Sequence, residues 1–422
     1  MNAGDRRRGF WDQAKETLPA SDRRRYQSRW LSGLIEHAEQ HASGVRRRLQ
    51  AAGLTAADLR DEEQLSRLPV IKKSAMPDLQ KADPPFGGFC TVPLAQVRKI
   101  FFSPGPILEP MGPEVGGWHL ETGMYAGGFR RGDVVLNTFS YQLVPAAHEM
   151  DEALNLVGCT VVPTGVGNSE QQVAAARAVA ATGYVGTPSF LMTLLKKADE
   201  LGGRLGLEVA QVGAEPFPES LRKVFQDEYG IMAHQGFGTA DLGMIAYECV
   251  EASGMHLLED TIVQICDPTS GAPLPAGQIG EIVATVNNRT YPMIRFGTGD
   301  LSVITEEPCP CGRTSSRMLG WRGRADEVTK VRGMFVHPRQ ADEIVARVGG
   351  VARFQVVVGR EGHQDSLTFR VELTGGADGG AVTPAMEVAI RDVMKLRGGV
   401  EIVAAGTIPE GAKKISDERK WD

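Results

Sequence analysis

Residues 291–333, YPMIRFGTGDLSVITEEPCPCGRTSSRMLGWRGRADEVTKVRG, carry the patterns that decide the fold. Three short motifs follow one another here: Arg-Phe-Gly-Thr-Gly-Asp at 295–300, Gly-Arg-Ala-Asp-Glu at 323–327 and Arg-Gly at 332–333. Any one of them alone would be an ordinary turn, because Gly and Asp are favoured in turns. Their fixed order is far more specific. It indicates an acidic residue in a turn, followed by a polar junction between two parts of the chain.

In this order the motifs resemble those of the adenylate-forming ligases of the acyl-CoA synthetase superfamily, specifically the phenylacetate–CoA ligase-like branch. The resemblance extends over about residues 68 to 419. It implies an α/β fold with a large N-terminal domain, residues 1–325, of mixed or parallel sheets flanked by helices. A small α+β C-terminal lobe, residues 326–422, would be mobile, with Asp326 as its hinge. The implied activity is ATP-dependent ligation of an aryl or acyl carboxylic acid to coenzyme A through acyl-AMP, with Mg²⁺ assisting.

The composition agrees with a soluble enzyme of two or three domains. The chain has 422 residues, a net charge of -6 and 42% hydrophobic residues, which calls for neither nucleic acid nor a membrane surface. The first ten residues, MNAGDRRRGF, lack the apolar core of a secretory signal. Six cysteines without such a signal favour a reducing compartment. We therefore predict a cytoplasmic protein that binds neither nucleic acid nor membranes, and a homodimer stays open.

From residue 133 onward, apolar strands alternate with helical patterns, which predicts a parallel sheet with right-handed crossovers. Ligands of such sheets bind at the carboxyl ends of the strands. Candidates for an acid pocket follow these strand ends: Tyr141, His148, Thr187, Pro188 and Ser189. A single histidine near a helix start is more often a cap or core residue, so this alternative stays open for His148.

Two glycine-containing segments resemble the adenine-binding elements of the family. The first resembles G-[GA]-E-P and consists of Gly213, Ala214, Glu215 and Pro216. The second resembles Y-G-x-[ST]-E and consists of Gln235, Gly236, Phe237, Gly238 and Thr239, with Asp241 in the place of the glutamate. Phe237 keeps a flat face for adenine but lacks the tyrosine hydroxyl. Asp241 keeps a carboxylate for Mg²⁺ with a reach shorter by one methylene.

The resemblance assigns the remaining polar roles to the C-terminal half. Asp300 would accept hydrogen bonds from both ribose hydroxyls, because a carboxylate is only an acceptor. Arg324 would donate to ribose or phosphate oxygens. Residues 409–419 resemble the family's E-G-K-A-x-R-V-x-D-x-R segment with one residue missing. The deletion makes Lys413 the expected catalytic lysine, with Lys414 a close second.

Residues 98–110, RKIFFSPGPILEP, depart most from the family, which has a Ser/Thr/Gly-rich phosphate loop and a lysine here. Such loops bind phosphate because consecutive backbone N–H groups converge on its oxygens. Pro104 and Pro106 have no N–H group, and no lysine follows. A structural strand-turn and a divergent phosphate loop both stay open. The rival functions are a non-adenylating member that only binds nucleotide or acyl-CoA, and a ligase with a non-CoA acceptor.

Cys249 and His256, followed by the Cys309-Pro-Cys311 pair, offer three thiols and one imidazole. Such a set is a common tetrahedral ligand complement of zinc, although the spacing is not that of a zinc finger. Members of the phenylacetate–CoA ligase-like branch have the same arrangement, and the resemblance implies a structural Zn²⁺. The alternative is that these cysteines are reduced loop thiols.

Overall fold

The computed structural model describes residues 6–116, 118–325, 329–332, 334–336, 338–361 and 364–419. The chain divides into two compact units, Met1–Ala325 and Asp326–Asp422. Asp326 itself lies outside the described residues, so its role as a hinge stays a prediction. Across the described ranges, no helix combines the length and the apolar character that crossing a membrane requires.

Helices of the first unit begin where side chains can cap them. Asp12, Asp61, Asn168 and Thr187 each accept a hydrogen bond from a backbone N–H in the first turn that follows. The α-helices of this unit are α1 Gln13–Glu16, α2 Ala20–His41, α3 Ser43–Ala51, α4 Glu62–Leu65, α5 Met76–Ala82, α6 Glu121–Ala126, α7 Ala146–Val157, α8 Ser169–Ala178, α9 Pro188–Glu200 and α10 Glu219–Lys223.

Short apolar runs form the central strands of this unit. β4, β6 and β7 are buried at almost every position, as expected of central strands covered on both faces. The strands are β1 Ile71–Lys72, β2 Lys99–Ser103, β3 Ile107–Met111, β4 Val134–Asn137, β5 Thr160–Pro163, β6 Gly183–Gly186, β7 Val209–Val212, β8 Met232–Thr239, β9 Gly243–Glu248, β10 Met255–Leu257, β11 Thr261–Cys266, β12 Gly280–Val286, β13 Phe296–Ser302, β14 Ile304–Thr305 and β15 Arg317–Met318.

The largest sheet combines a parallel and an antiparallel half. Within the described part of the unit its order is β14-β15-β10-β9-β8-β7-β6-β4-β5. The pairs from β5 to β8 are parallel and those from β8 to β14 antiparallel. Helices α7, α8 and α9 connect successive parallel strands. The predicted mixed α/β architecture is therefore confirmed, and the carboxyl ends of β6, β7 and β8 meet at one edge.

A second sheet, in the order β1-β13-β12-β11, contains the Arg-Phe-Gly-Thr-Gly-Asp motif on β13. β1 pairs with β13 in parallel, with Ile71 opposite Phe296. Arg295, just before β13, is only 2% exposed. Its guanidinium donates to the carbonyl oxygens of Ser66 and Leu68, each at 2.7 Å. The chain entering β1 is thereby fixed against the start of β13.

Residues 99–111 form a two-stranded antiparallel hairpin of β2 and β3. Ser103 pairs with Ile107, and residues 104–106 make the turn. A strand running into a Gly/Pro turn was expected here, and the return strand β3 completes it. The tight turn contains both prolines, so it offers few N–H groups to a ligand.

The second unit has a four-stranded sheet among its described residues, in the order β20-β19-β18-β21. β18 and β19 pair in antiparallel fashion, whereas β20 and β21 add parallel edges. This confirms the predicted small α+β unit. Its elements are α11 Pro338–Val348, α12 Gly379–Met394, β16 Thr329–Val331, β17 Met334–Val336, β18 Val351–Glu361, β19 Gln364–Leu373, β20 Gly399–Ile402 and β21 Ile415–Asp417.

Candidate functional site

The two predicted adenine-binding segments lie side by side at the carboxyl edge of the parallel strands. The N–H of Gly213, directly after β7, donates to the carbonyl oxygen of Gly186 at the end of β6, at 3.1 Å. A Cβ on Gly213 would lie 3.5 Å from the carbonyl oxygen of Gly236 in β8. Residues 213–216 and 235–239 are half-buried or exposed, so this edge can receive a ligand.

Asp241 forms a buried ion pair with Lys73, a residue the sequence analysis did not assign to the site. Lys73 Nζ lies 2.6 Å from Asp241 Oδ2, and Asp241 Oδ1 has no partner among the described residues. Burial lowers the pKa of Lys73, but the Asp241 carboxylate outweighs burial, and the pKa is raised. The only sequence signal for Lys73 was its position in the Leu-Pro-Val-Ile-Lys-Lys stretch at 68–73.

Glu109, on the return strand of the hairpin, faces the same pair. It is 1% exposed, and its Oε1 accepts a hydrogen bond from Ser103 Oγ at 2.5 Å. Its Oε2 has no partner within the described part of the chain. Burial and then the charge of Asp241 raise the pKa of Glu109 to about 8. The hairpin thus brings a carboxyl group, largely protonated at neutral pH, to the place where the family has a phosphate loop.

Asp300 and Arg324 lie together beside this cluster. Asp300 Oδ1 accepts from Arg324 Nη1 at 3.1 Å and from Trp321 Nε1 at 2.9 Å. Both charged side chains are 14% exposed. The positive charge of Arg324 also acts on Lys73 and partly offsets the rise in the pKa of Lys73 that Asp241 causes. Asp300 and Arg324, which come from two motifs separate in sequence, therefore meet at one charged site.

The hairpin packs against two of the predicted acid-pocket residues. The Phe101 ring centroid lies 5.4 Å from that of His148, and Lys99 Nζ is 2.9 Å from His148 Nδ1. Tyr141 meets His148 edge-to-face at 5.2 Å and donates its hydroxyl to Asp151 at 2.8 Å. Burial, followed by the Lys99 charge, lowers the pKa of His148. Residues 98–101 thus form part of the wall around Tyr141 and His148.

The Thr187-Pro188-Ser189 segment, predicted to line the acid pocket, forms the start of helix α9. Thr187 is the N-cap of α9, where its Oγ1 accepts from the Phe190 N–H at 3.3 Å. Pro188 and Ser189 are already helical, because proline is well suited to the first turn of a helix. Pro188 is buried and Ser189 is exposed. Thr187 and Ser189 follow β6 at the carboxyl edge, and their contact with an acid stays a prediction.

Cys249, His256, Cys309 and Cys311 converge as a potential metal centre. One ligand atom from each lies within 4.8 Å of the others. Cys249 Sγ is 3.7 Å from Cys309 Sγ, and Cys311 Sγ is 3.4 Å from His256 Nε2. The hydrogen bonds of Cys311 with Cys249 and with His256 lower the pKa of the Cys311 thiol. Cys249 and His256 are fully buried. The sequence had left open that the cysteines are reduced loop thiols and not metal ligands.

A polar shell supports this cluster. His256 Nδ1 lies 3.3 Å from Ser315 Oγ, which leaves Nε2 to face the thiols. The backbone N–H of Arg313 donates to Cys311 Sγ at 3.4 Å. Orientation of a histidine by its second ring nitrogen is typical of metal sites. Three sulfur atoms and one imidazole nitrogen in this arrangement fit a tetrahedral zinc ion.

The two candidate lysines of the second unit differ in their surroundings. Lys414 Nζ lies 2.7 Å from Asp342 Oδ1, an ion pair within the unit. The Lys413 side chain is exposed, and its carbonyl oxygen accepts from Gln355 Nε2 at 3.0 Å. The ammonium group of Lys414 is therefore already engaged by a carboxylate. This difference favours Lys413 as the lysine that acts on a ligand.

Known proteins resemble the chain in sequence. The model of the AMP-binding enzyme family matches residues 120–288, and that of the AMP-binding enzyme C-terminal domain matches residues 333–419. A phenylacetate-coenzyme A ligase of Thermus thermophilus is 32% identical over 375 residues, which is 85% of this chain and 83% of that protein. The phenylacetate-coenzyme A ligase of Escherichia coli K12 is 28% identical over 422 residues, 94% of this chain and 95% of its own length.

A solved structure supports the same relationship. The 2-hydroxyisobutyryl-CoA ligase in complex with 2-HIB-AMP and CoA, in the thioesterification state, aligns with a TM-score of 0.86. The alignment has 26% sequence identity and covers 100% of this chain and 94% of the ligase. The similarity therefore includes residues of both units.

Glu109→Gln should change how stability depends on pH. In the unfolded chain a glutamate titrates near 4.5, whereas Glu109 in the folded protein titrates at about 8. Between these values the folded state binds a proton that the unfolded state lacks, so this group makes stability fall as pH rises. The slope is at most about 1.4 kcal/mol per pH unit. Glutamine removes this contribution, so the variant should gain stability relative to wild type as pH rises.

Urea denaturation of both proteins at intervals from pH 5 to 9, without magnesium or nucleotide, measures this difference. Comparing the two proteins cancels the carboxyl groups that do not interact with Glu109, whereas Asp241 and Glu149 interact with it. A stability difference that stays constant across the pH range would contradict the raised pKa of Glu109.

Proposed function

Because the chain belongs to the family of AMP-binding enzymes, we propose that it is an ATP-dependent acid–CoA ligase. A carboxylate oxygen of the acid attacks the α-phosphorus of ATP, and pyrophosphate leaves with the electrons of the broken P–O bond. The sulfur of coenzyme A then attacks the acyl carbon of acyl-AMP and AMP departs. AMP is a far better leaving group than hydroxide, which is the chemical reason for activating the acid.

The position of the two predicted adenine-binding segments supports the proposal most. The segments at 213–216 and 235–239 share the carboxyl edge of the parallel sheet, where ligands of such sheets bind. Asp300 and Arg324 form a charged pair near Lys73 and Asp241. These groups suit a nucleotide: a carboxylate acceptor for ribose hydroxyls, and cations for phosphate oxygens. The resemblance to phenylacetate–CoA ligases favours an aryl acid as the substrate.

Tyr141, His148 and Thr187 would lie around the acid. Tyr141 and His148 present aromatic surface beside the hairpin, which suits a planar aryl group. The pKa of His148 is lowered, so this ring is neutral at physiological pH and adds no charge to the pocket. The aromatic surface of this wall favours an aryl group, and the charge beside it is that of Lys99, whose Nζ lies 2.9 Å from His148 Nδ1.

Asp241 is the proposed ligand of Mg²⁺, and the cysteine cluster the proposed site of a structural Zn²⁺. Asp241 Oδ1 is buried without a partner in the described residues, which fits an oxygen ligand awaiting a cation. Bound Mg²⁺ would neutralise phosphate charge. Lys73 would then share the Asp241 carboxylate with the metal or release it. In either case the site keeps a cation beside Asp241.

A second candidate function remains for one specific reason. The hairpin has Pro104 and Pro106 in its turn and Glu109 buried behind it, where a phosphate loop would need N–H donors. A family member that binds nucleotide or acyl-CoA without adenylation would tolerate this change. Acid-dependent exchange of pyrophosphate into ATP over a panel of aryl acids separates the two. Exchange supports the ligase, and its absence together with acyl-CoA binding supports the non-adenylating protein.

Lys413→Ala should abolish acyl-AMP formation. An ammonium group at the α-phosphate neutralises charge that grows in the transition state, an effect worth about 3–4 kcal/mol or roughly 10²–10³ in rate. Pyrophosphate exchange measures this first step. Thioester formation from supplied acyl-AMP should stay nearly unchanged, because the proposed lobe rotation moves the lysine away before the second step.

Lys414→Ala is the matched control, since its ammonium pairs with Asp342. It should keep most of the exchange activity. If both variants exchange pyrophosphate like the wild type, the assignment of the C-terminal lysine is wrong.

Asp300→Ala should weaken ATP binding far more than binding of the acid. A hydrogen bond to a charged group is worth about 1.5–3 kcal/mol, which is on the order of tenfold to a hundredfold in affinity. Calorimetry with ATP and with the acid gives both affinities. Trp321→Phe removes a donor to Asp300 Oδ1 but keeps the carboxylate, so it should change ATP affinity little. Unchanged ATP affinity in Asp300→Ala would refute the ribose assignment.

Cys309→Ser should remove the bound zinc and loosen the loop that carries Cys309 and Cys311, because metal binding and local folding are coupled. Metal analysis of the purified wild type should give about one zinc per chain. Cys90→Ser, a cysteine outside the cluster, should keep that content. Less than about 0.2 zinc per wild-type chain would rule out the zinc site.

A further inference from the structure

Arg222 of α10 and Glu248 at the end of β9 form a buried ion pair that none of the sequence motifs includes. Arg222 Nη2 lies 3.0 Å from both Glu248 Oε1 and Oε2. The two side chains are 10% and 3% exposed. Arg222 Nη1 also donates to the carbonyl oxygen of Ala233 at 2.7 Å, and its guanidinium lies 4.6 Å from the Phe217 ring centroid. The pair therefore has a fixed geometry away from solvent.

The Glu248 carboxylate also holds Gln235, the first residue of the second adenine-binding segment. The backbone N–H of Gln235 donates to Glu248 Oε2 at 2.9 Å, and Gln235 Nε2 donates to Oε1 at 2.8 Å. Each oxygen of Glu248 thus accepts one hydrogen bond from Arg222 and one from Gln235. Charge-assisted bonds of this kind are stronger and geometrically more restrictive than neutral ones.

Gln235 is also the residue at which β8 changes partners. Its last parallel pair with β7 is Gln235 opposite Val212, and its antiparallel pairing with β9 starts at Gly236 opposite Tyr247. At this junction a side-chain carboxylate, rather than a strand carbonyl, accepts the Gln235 N–H. The position of Glu248 therefore sets where residues 236–239 leave the parallel half of the sheet.

We infer that Glu248, held by Arg222, is a positioning residue for the nucleotide: it fixes Gln235 and thereby the adenine-facing residues 236–239. This inference rests on the proposed function, since it assumes that the segment binds a nucleotide. Glu248 does not touch the ligand itself. It acts by fixing the backbone in advance, so that little freedom is lost when the nucleotide binds.

The cysteine cluster adjoins the same carboxylate. Cys249 directly follows Glu248, and in the β9–β10 ladder Met255 pairs with Glu248 and His256 with Tyr247. A metal held by Cys249 and His256 would therefore restrain the end of β9 that presents the carboxylate. Zinc content is accordingly measured in every variant, so that a loss of nucleotide affinity is not confused with a loss of metal.

A buried ion pair can simply contribute to folding, and a matched pair separates that role from positioning. Arg6 and Asp133 have side chains 4% and 2% exposed, with Arg6 Nη1 2.7 Å from Asp133 Oδ2. Asp133 precedes β4 and so lies at the amino edge of the sheet, opposite the nucleotide segments. Replacing a buried ion pair by apolar residues of similar size is often neutral for stability. We therefore expect both double variants to fold, and their melting temperatures check this.

The test compares the double variant Arg222→Met/Glu248→Leu with Arg6→Met/Asp133→Leu and with wild type. Calorimetry gives the Kd of ATP, exchange kinetics give KM for ATP and for the acid, and hydrogen exchange gives the protection of residues 233–240. We expect Arg222→Met/Glu248→Leu to raise the Kd and KM of ATP about tenfold or more. KM for the acid should stay within about twofold, and protection of residues 233–240 should fall.

The control variant Arg6→Met/Asp133→Leu should bind ATP with the wild-type Kd, even where its melting temperature differs from that of the wild type. Glu248→Gln, which keeps an oxygen acceptor for the Gln235 N–H, should retain part of the affinity if it folds. ATP affinity within twofold of wild type in Arg222→Met/Glu248→Leu would overturn the inference, as would an equal loss in the control. If wild-type protein itself binds no nucleotide, the proposed function fails, and this assignment fails with it.

Discussion

The guanidinium group of Arg295 lies inside the first unit and joins three segments that are distant in sequence. It donates to the carbonyl oxygens of Ser66 and Leu68, and to that of Gly271 at 2.6 Å. These bonds satisfy both terminal nitrogens, whereas Nε has no partner among the described residues. Because a buried charge is costly without such bonds, these carbonyl groups and Arg295 hold one another in place. The backbone of Arg295 has a φ of +49°, a strained conformation for a side chain this large. The strain indicates that the surrounding contacts determine this residue closely.

The candidate site depends on that arrangement. Because β1 is aligned in parallel with β13, Lys73 follows directly at the end of β1 and reaches Asp241. The same β13 carries Asp300. Strands β1 and β13, which are far apart in sequence, thus bring the Lys73 ammonium and the Asp300 carboxylate to the same region. The opposite charges of Lys73 and Asp241 compensate for burial that neither group would tolerate alone.

The hairpin and the cysteine loop show two ways in which the site is supported from its periphery. The hairpin adds Glu109, whose raised pKa keeps it largely neutral and so limits its repulsion with the Asp241 carboxylate. The loop with Cys309 and Cys311 is held to the first helix by Arg313, whose Nε lies 2.6 Å from Glu16 Oε2. This ion pair is buried on both sides. The cysteine cluster is therefore packed into the core of the first unit.

Several features followed from the sequence alone because they depend on local patterns. The alternation of apolar strands and helical segments from residue 133 specified the parallel sheet. The resemblance assigned residues 213–216 and 235–239 to adenine binding, and the structure places both segments at the carboxyl edge of that sheet. The three ordered motifs indicated the family and the junction between the two units. The Cys-Pro-Cys pair predicted a cluster with Cys249 and His256, and the four residues do converge, whereas the bound zinc stays a prediction.

Other features were decided only by the tertiary structure. Lys73 and Asp241 are 168 residues apart, and Arg222 and Glu248 lie on a helix and a strand that no short motif connects. Whether a charged residue is exposed or paired depends on which elements pack together, and periodicity does not contain that information. The same holds for Glu109, which became part of the site because the hairpin turns it inward, towards Asp241. The sequence thus determined the elements and their order, whereas long-range packing decided which charges meet and which protonation states they adopt.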